Sequence, residues 1–147
     1  MTKLTKSIEI EASPEKVFAF LLDREKMNEA SKGFAEFEYT SKGPVGVGTT
    51  MHYVTASGGQ QAEWDAEVTE FVKDKKIATH TIGAGKVKLT GSYSLESTAK
   101  GTKVTFFLDY ELPYSILGKL IDKLRVGKDM EKGVGKALEN AKKTLEA

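Results

Sequence analysis

The sequence predicts an α+β fold: a curved antiparallel sheet of about seven strands wrapped around one long C-terminal helix, with two short helices after the first strand. Three observations carry that expectation. Apolar residues recur with a period of two from Phe34 to Leu112. Tight-turn signals separate those runs, so consecutive strands pair antiparallel. Finally, Tyr114 to Glu146 carries an apolar stripe at helical spacing, which the sheet must cover.

Taken in order, Leu4, Lys6, Ile8, Ile10 and Ala12 share one face of the first strand, against polar Lys3, Thr5, Ser7, Glu9 and Glu11. Lys6 is the one exception to a half-buried alternation. Ser13-Pro14-Glu15 starts a helix, with Ser as N-cap, Pro at the first helical position and Glu at the positive end of the dipole. Val17, Phe18, Leu21 and Leu22 give that helix its stripe. Asp23 to Ser31 reads as a second short helix or a loop, anchored by Met27 and Ala30 and ended by Gly33.

Phe37 and Tyr39 mark a short strand, and Gly46-Val47-Gly48 turns the chain into Thr49 to Ala56. Ser57-Gly58-Gly59-Gln60 is a hairpin signal. The next strand sets Trp64, Ala66 and Val68 against Glu63, Asp65 and Glu67, and its alternation slips at Glu70-Phe71, as at a bulge. Ile77 to Ile82 follows; Ile77, Thr79 and Thr81 or Ala78, His80 and Ile82 are equally good inward sets. Val87, Leu89, Gly91, Tyr93 and Leu95 alternate with polar residues, and so do Val104, Phe106, Leu108, Tyr110 and Leu112. In the last segment Leu117, Leu120, Ile121 and Leu124, then Val134, Leu138, Ala141 and Leu145, form the stripe. Gly118, Gly127, Gly133 and Gly135 interrupt it at about 1 kcal/mol each relative to Ala, so tertiary contacts must hold this helix.

Composition narrows the function classes. The 147 residues fit one domain, 1–147, with a sizeable core. A net charge of +1 gives no field for steering toward nucleic acid or anionic membrane. Cysteine is absent, which removes disulfides and thiolate chemistry. The N-terminus lacks an apolar signal core, and no apolar run approaches a membrane span, so a cytoplasmic location without integral membrane association is the expectation.

The segments Ile8 to Phe18, Gly46 to Thr49, Thr102 to Thr105, Tyr110 to Pro113 and Leu117 to Leu124 carry a family likeness. Together with the element order, they make the chain resemble the START-like, or SRPBCC, superfamily with the helix-grip fold. Within it the chain looks most like the polyketide cyclase/dehydrase or carbon monoxide dehydrogenase subunit-like branch. The resemblance spans the whole chain, but its motifs are structural. It implies a hydrophobic pocket between sheet and long helix and no single reaction. Relatives often carry a Trp after the first helix; here Met27 to Phe34 has none.

The residues agree on a pocket, since a curved sheet gripping a helix leaves a concave side that commonly holds one ligand. The strands are expected to line it with Met51, Tyr53, Trp64, Ala66 and Val68, then Leu89, Tyr93, Phe106, Leu108 and Tyr110. Leu117, Leu120 and Leu124 would line it from the helix, and Met130 is either adaptable lining or a gap filler. Trp64, Tyr53, Tyr93 and Tyr110 add polar ends that need hydrogen-bond partners, and a ligand is one such partner.

The two histidines, His52 and His80, are weak candidates for a catalytic base, weighed against ordinary strand positions. Two histidines fall short of the three ligands of a catalytic zinc site, so no metal and no cofactor is expected. Glu63, Asp65 and Glu67 read as a solvated outer face. Gly46-Val47-Gly48 precedes no helix and is a strand-entry turn, not a phosphate loop. Charges of both signs on the terminal helix argue for solvation over membrane docking. Three functions fit: binding or transport of a lipid, polyketide-like or isoprenoid molecule; cyclisation or dehydration of one; or an accessory protein-interaction role. The last needs an exposed apolar patch, hinted at by Phe107, and leaves a protein partner or a homodimer open.

Overall fold

The computed structural model describes residues 2–57, 60–83, 88–111 and 123–147, and of residues 57, 60 and 123–126 the backbone alone. The chain runs β1 (Thr2–Ile10), α1 (Pro14–Leu22), α2 (Arg24–Ala30), β2 (Ala35–Tyr39), β3 (Thr50–Ser57), β4 (Gln60–Val72), β5 (Lys76–Ile82), β6 (Lys88–Ser97), β7 (Thr102–Glu111) and α3 (Lys123–Glu146). The strands form one curled sheet in the order β1-β7-β6-β5-β4-β3-β2, every adjacent pair antiparallel. That is the predicted fold class. The α1–α2 segment carries the chain from one sheet edge, β1, to the other, β2. α3 packs against β1, α1, α2 and β3.

Local signals act as their residue types dictate. Ser13 Oγ accepts from the Lys16 N–H at 3.4 Å with Pro14 next to it, and Asp23 Oδ1 accepts from the Lys26 N–H at 3.0 Å to start α2. Gly33, which follows α2, has φ +86°, a left-handed conformation glycine adopts without a Cβ clash. Gly48 has φ +95° and donates its N–H to Val68 O at 2.9 Å, which makes Gly46 to Gly48 the expected strand-entry turn. Ser57 pairs with Gln60, consistent with the expected hairpin. The β4 register shifts between Val68 and Glu70, slightly ahead of the expected slip.

Burial on β1 alternates as expected. Its exception is resolved by packing: the Lys6 ammonium reaches Glu131 of α3 at 2.9 Å. Both side chains are well exposed, so the pair contributes at most about 1 kcal/mol. The end of α3 is tied to the end of β1, because Glu146 Oε2 accepts from the Glu11 N–H at 2.9 Å and Lys142 Nζ donates to Glu9 O at 2.8 Å. Between them lies a core of Ile10, Val17, Val68 and Val104, joined by Val134, Leu138 and Ala141 of α3. Burying each large aliphatic side chain stabilises the fold by roughly 1.5–3 kcal/mol.

The undecided parity of β5 resolves with Ile77 buried and His80 exposed. Phe107 is half-buried, not exposed; the exposed large apolar residues among those described are Val47 and Val72. The hint of a docking patch at Phe107 is therefore corrected. Leu112, Leu117, Leu120 and Ile121 lie outside the described residues, as do Val87 and the side chain of Leu124.

Candidate functional site

A cavity of about 150 Å³ lies between the concave face of the sheet, α2 and α3. Strand parity builds most of its wall. Met51, Tyr53, Trp64, Leu89, Tyr93, Phe106 and Leu108 line it, all from the expected inward sets. Ile77 and Thr79 add the resolved face of β5, and Met130, Val134 and Ala137 come from α3. Gly91 forms part of the floor; a Cβ there would make ordinary contacts, the nearest with Leu108 at 3.6 Å.

The β2–β4 side is an aromatic ladder set by register. Phe37 is opposite Tyr53, and Tyr53 is opposite Trp64. Their rings stack at 5.4 Å and 26° for the first pair and 5.7 Å and 12° for the second, while Tyr39 meets Phe37 edge-on at 5.3 Å. Across the cavity Tyr93 tilts against its register partner Phe106 at 4.8 Å. The result is two flat apolar walls with polar atoms at their ends.

Those polar ends differ in how they are satisfied. Tyr39 donates its hydroxyl to Leu22 O at 2.7 Å, and burial with the Asp23 charge pushes its pKa up to about 12. Tyr53 finds only Met51 Sδ at 3.6 Å, a weak acceptor. Burial raises Tyr53 first, and the neighbouring Tyr93 and Tyr39 hydroxyls raise it further. Burial pushes Tyr93 up to about 12. Trp64 Nε1 is buried without a hydrogen-bond partner among the described residues. An unpaired buried N–H costs about 1–3 kcal/mol, which a ligand acceptor can recover. At neutral pH the cavity therefore presents donors: an indole N–H and protonated phenols.

Several expectations need correction. Ala66 and Val68 belong to the closed core, 1% and 0% exposed, because α1 fills that end of the curl and Phe18 packs edge-on against Phe71 at 5.4 Å. Tyr110 is also buried, 6% exposed and outside the lining; its hydroxyl lies against the helix at Gly127. Neither histidine reaches the cavity. His80 is exposed, and His52 lies on the outer face, with Nδ1 2.9 Å from Asp65 Oδ1 and Nε2 3.2 Å from Glu63 Oε1. Those two hydrogen bonds hold the His52 pKa above its usual value. Among the described residues no cluster of His, Cys, Asp and Glu is arranged to hold a metal.

Sequence reasoning missed the contribution of the α1–α2–β2 corner. Leu21, Leu22, Met27, Asn28, Ser31 and Phe34 all line the cavity. Asn28 fixes this corner: its Nδ2 donates to Phe37 O and its Oδ1 accepts from the Phe37 N–H, both at 2.9 Å. The carboxamide thereby pairs backbone groups of an edge strand, which no neighbouring strand would satisfy. In the stretch where a Trp was missing, Phe34 supplies the aromatic wall.

No helix among the described residues is long and apolar enough to cross a membrane. The family described as polyketide cyclase/dehydrase and lipid transport matches residues 1–146. An uncharacterized 17.2 kDa protein of Streptomyces lincolnensis, from the melC2-rnhH intergenic region, is 35% identical over 99 residues; the match covers 67% of this chain and 63% of that protein's length. The crystal structure of TTHA0849 from Thermus thermophilus superposes with a TM-score of 0.82 at 24% identity, covering 98% of this chain and 97% of that one. The di-domain ARO/CYC BexL from the BE-7585A biosynthetic pathway gives 0.74 at 15% identity, covering 99% of this chain and 50% of BexL. At those identities the two structures establish a shared fold. The match along nearly its whole length shows that the chain belongs to the polyketide cyclase/dehydrase and lipid transport family.

Proposed function

We propose that the protein binds and carries a small hydrophobic molecule with a flat apolar body and at least one acceptor oxygen. The observation that carries this is an apolar, aromatic-walled cavity holding an unpartnered Trp64 N–H. The apolar body lies between the ladder Phe37–Tyr53–Trp64 and the Tyr93–Phe106 pair; the oxygen accepts from Trp64 Nε1 and the phenols of Tyr53 and Tyr93. The family match supports the hydrophobic-ligand part of this reading. Carriage is favoured over catalysis because the groups that titrate near neutrality, His52 and His80, lie outside the cavity lining. The phenols, with pKa values raised, can polarise a carbonyl but cannot serve as a base near pH 7.

Native mass spectrometry of gently purified protein tests for a co-purifying apolar compound, and calorimetry with 2-naphthol tests the cavity directly. Binding should shift the Trp64 indole N–H resonance and be abolished by Gly91→Leu, which puts four carbons into the floor. Binding of 2-naphthol that leaves the indole resonance unmoved and survives Gly91→Leu would place the ligand elsewhere and refute the assignment.

A further inference from the structure

The cavity continues beyond its apolar wall. Five of its lining residues, Asn28, Phe34, Ala35, Glu36 and Thr55, also line a second space of about 520 Å³ at the α2–β2 corner. The two spaces differ in chemistry. The groove is bordered by Arg24, Glu25 and Glu29 of α2, by Lys32 just after it, and by Gln61 of β4, all exposed. Asn28 is committed to the Phe37 backbone, so the wall it forms is fixed. Phe34, half-buried between the two spaces, and the small side chain of Ala35 mark the boundary.

Size decides what this continuity means. The inner cavity, at about 150 Å³, has room for a benzene-sized guest. Small-molecule pockets ordinarily run from roughly 300 to 1,000 Å³. A ligand of ordinary size anchored against Trp64 must therefore extend outward, and the groove offers it several times the inner volume. Charge narrows the class. Two cations, Arg24 and Lys32, face three carboxylates, Glu25, Glu29 and Glu36, leaving one net negative charge. A carboxylate or phosphate gains nothing there, whereas a hydroxyl- or amide-bearing group finds donors and acceptors together.

From this we infer that the groove is a second subsite of the pocket, taking the uncharged, hydrogen-bonding end of an amphipathic molecule whose apolar end fills the cavity. The inference rests on the binding function proposed above. Calorimetry and backbone NMR with 2-naphthol, its β-glucoside and its phosphate ester test the two separately. All three should shift Trp64, but the glucoside alone should also shift Lys32 and Gln61. It should bind about five-fold more tightly than naphthol, the equivalent of one net hydrogen bond. Glu29→Ala and Gln61→Ala, both exposed positions, should each reduce that advantage while leaving naphthol affinity within about two-fold. If naphthol binds but the glucoside binds no more tightly, or the phosphate binds most tightly, the subsite is refuted and the cavity stands. If the glucoside's advantage survives both substitutions, the subsite is likewise refuted. If none of the three shifts Trp64, cavity and subsite fall together.

Discussion

Phe34 lies so close to Gly133 of α3 that a β-carbon at position 133 would overlap its ring. Two residues on, Gly135 has open space where its β-carbon would be. The same substitution should therefore have opposite effects at the two sites. Gly135→Ala removes backbone freedom from the unfolded chain and should stabilise by about 0.5–1 kcal/mol. Gly133→Ala gains the same propensity but must displace Phe34 from the cavity wall, an overpacking cost of about 1–3 kcal/mol. Urea midpoints of the two variants check this, with a rise at 135 and a fall at 133 expected. Equal rises would mean that Phe34 yields freely.

Asn28 carries the corner that sequence reading could not see. Asn28→Ala deletes a donor and an acceptor at once and leaves Phe37 N–H and O without their partner, which should cost about 1–3 kcal/mol. Amide hydrogen exchange at Phe37 should accelerate by more than at Tyr93 on β6. Uniform acceleration throughout the sheet would show that Asn28 supports global stability and not the β2 edge.

The legible and illegible parts divide along physical lines. Period-two alternation gave the inward faces of β4, β6 and β7 because one face of each strand is buried and a one-residue slip would expose it. It could not settle β5, where Ile77 and Ile82 have opposite parity. Parity also says nothing of how far along a strand the cover extends. Ala66 and Val68 were therefore expected in the cavity, when α1 closes that end. The aromatic ladder was within reach, since Phe37 and Tyr39 alternate with Glu36 and Glu38 as cleanly as any inward set. Asn28 carried no such signal. Its partner is the backbone of Phe37, and only the docking of α2 on β2 brings the two together.

Two exposed groups shape the pH profile with opposite signs. His52 donates to Asp65 and Glu63, which raises its folded pKa. Its stabilisation is therefore complete below about 6.5, the usual unfolded value, and is lost as pH rises through the folded pKa. Glu146 is held low by Lys142 and by the Glu11 N–H, so its contribution is complete above the usual value of about 4.3 and is lost as pH falls through the folded one. Thermal melts from acid to alkaline pH should show His52→Gln flattening only the limb above neutrality and Glu146→Gln only the acid limb. An unchanged alkaline limb in His52→Gln would show that the two hydrogen bonds do not persist in solution.

Tyr93 separates recognition of a polar atom from burial of apolar surface. Its ring packs on Phe106 at 4.8 Å while its phenol, raised to about 12, stays protonated throughout the physiological range. Tyr93→Phe keeps the ring and removes the donor. Affinity for 2-naphthol should then fall by about two- to ten-fold, the value of one net hydrogen bond. Affinity for naphthalene, which has no oxygen to receive the proton, should hold within a factor of about two, because the apolar contacts are conserved. Calorimetry with both compounds on both proteins closes the cycle. If naphthalene loses as much as naphthol, Tyr93 acts through the shape of the cavity, and the acceptor oxygen must be met by Trp64 or Tyr53 alone.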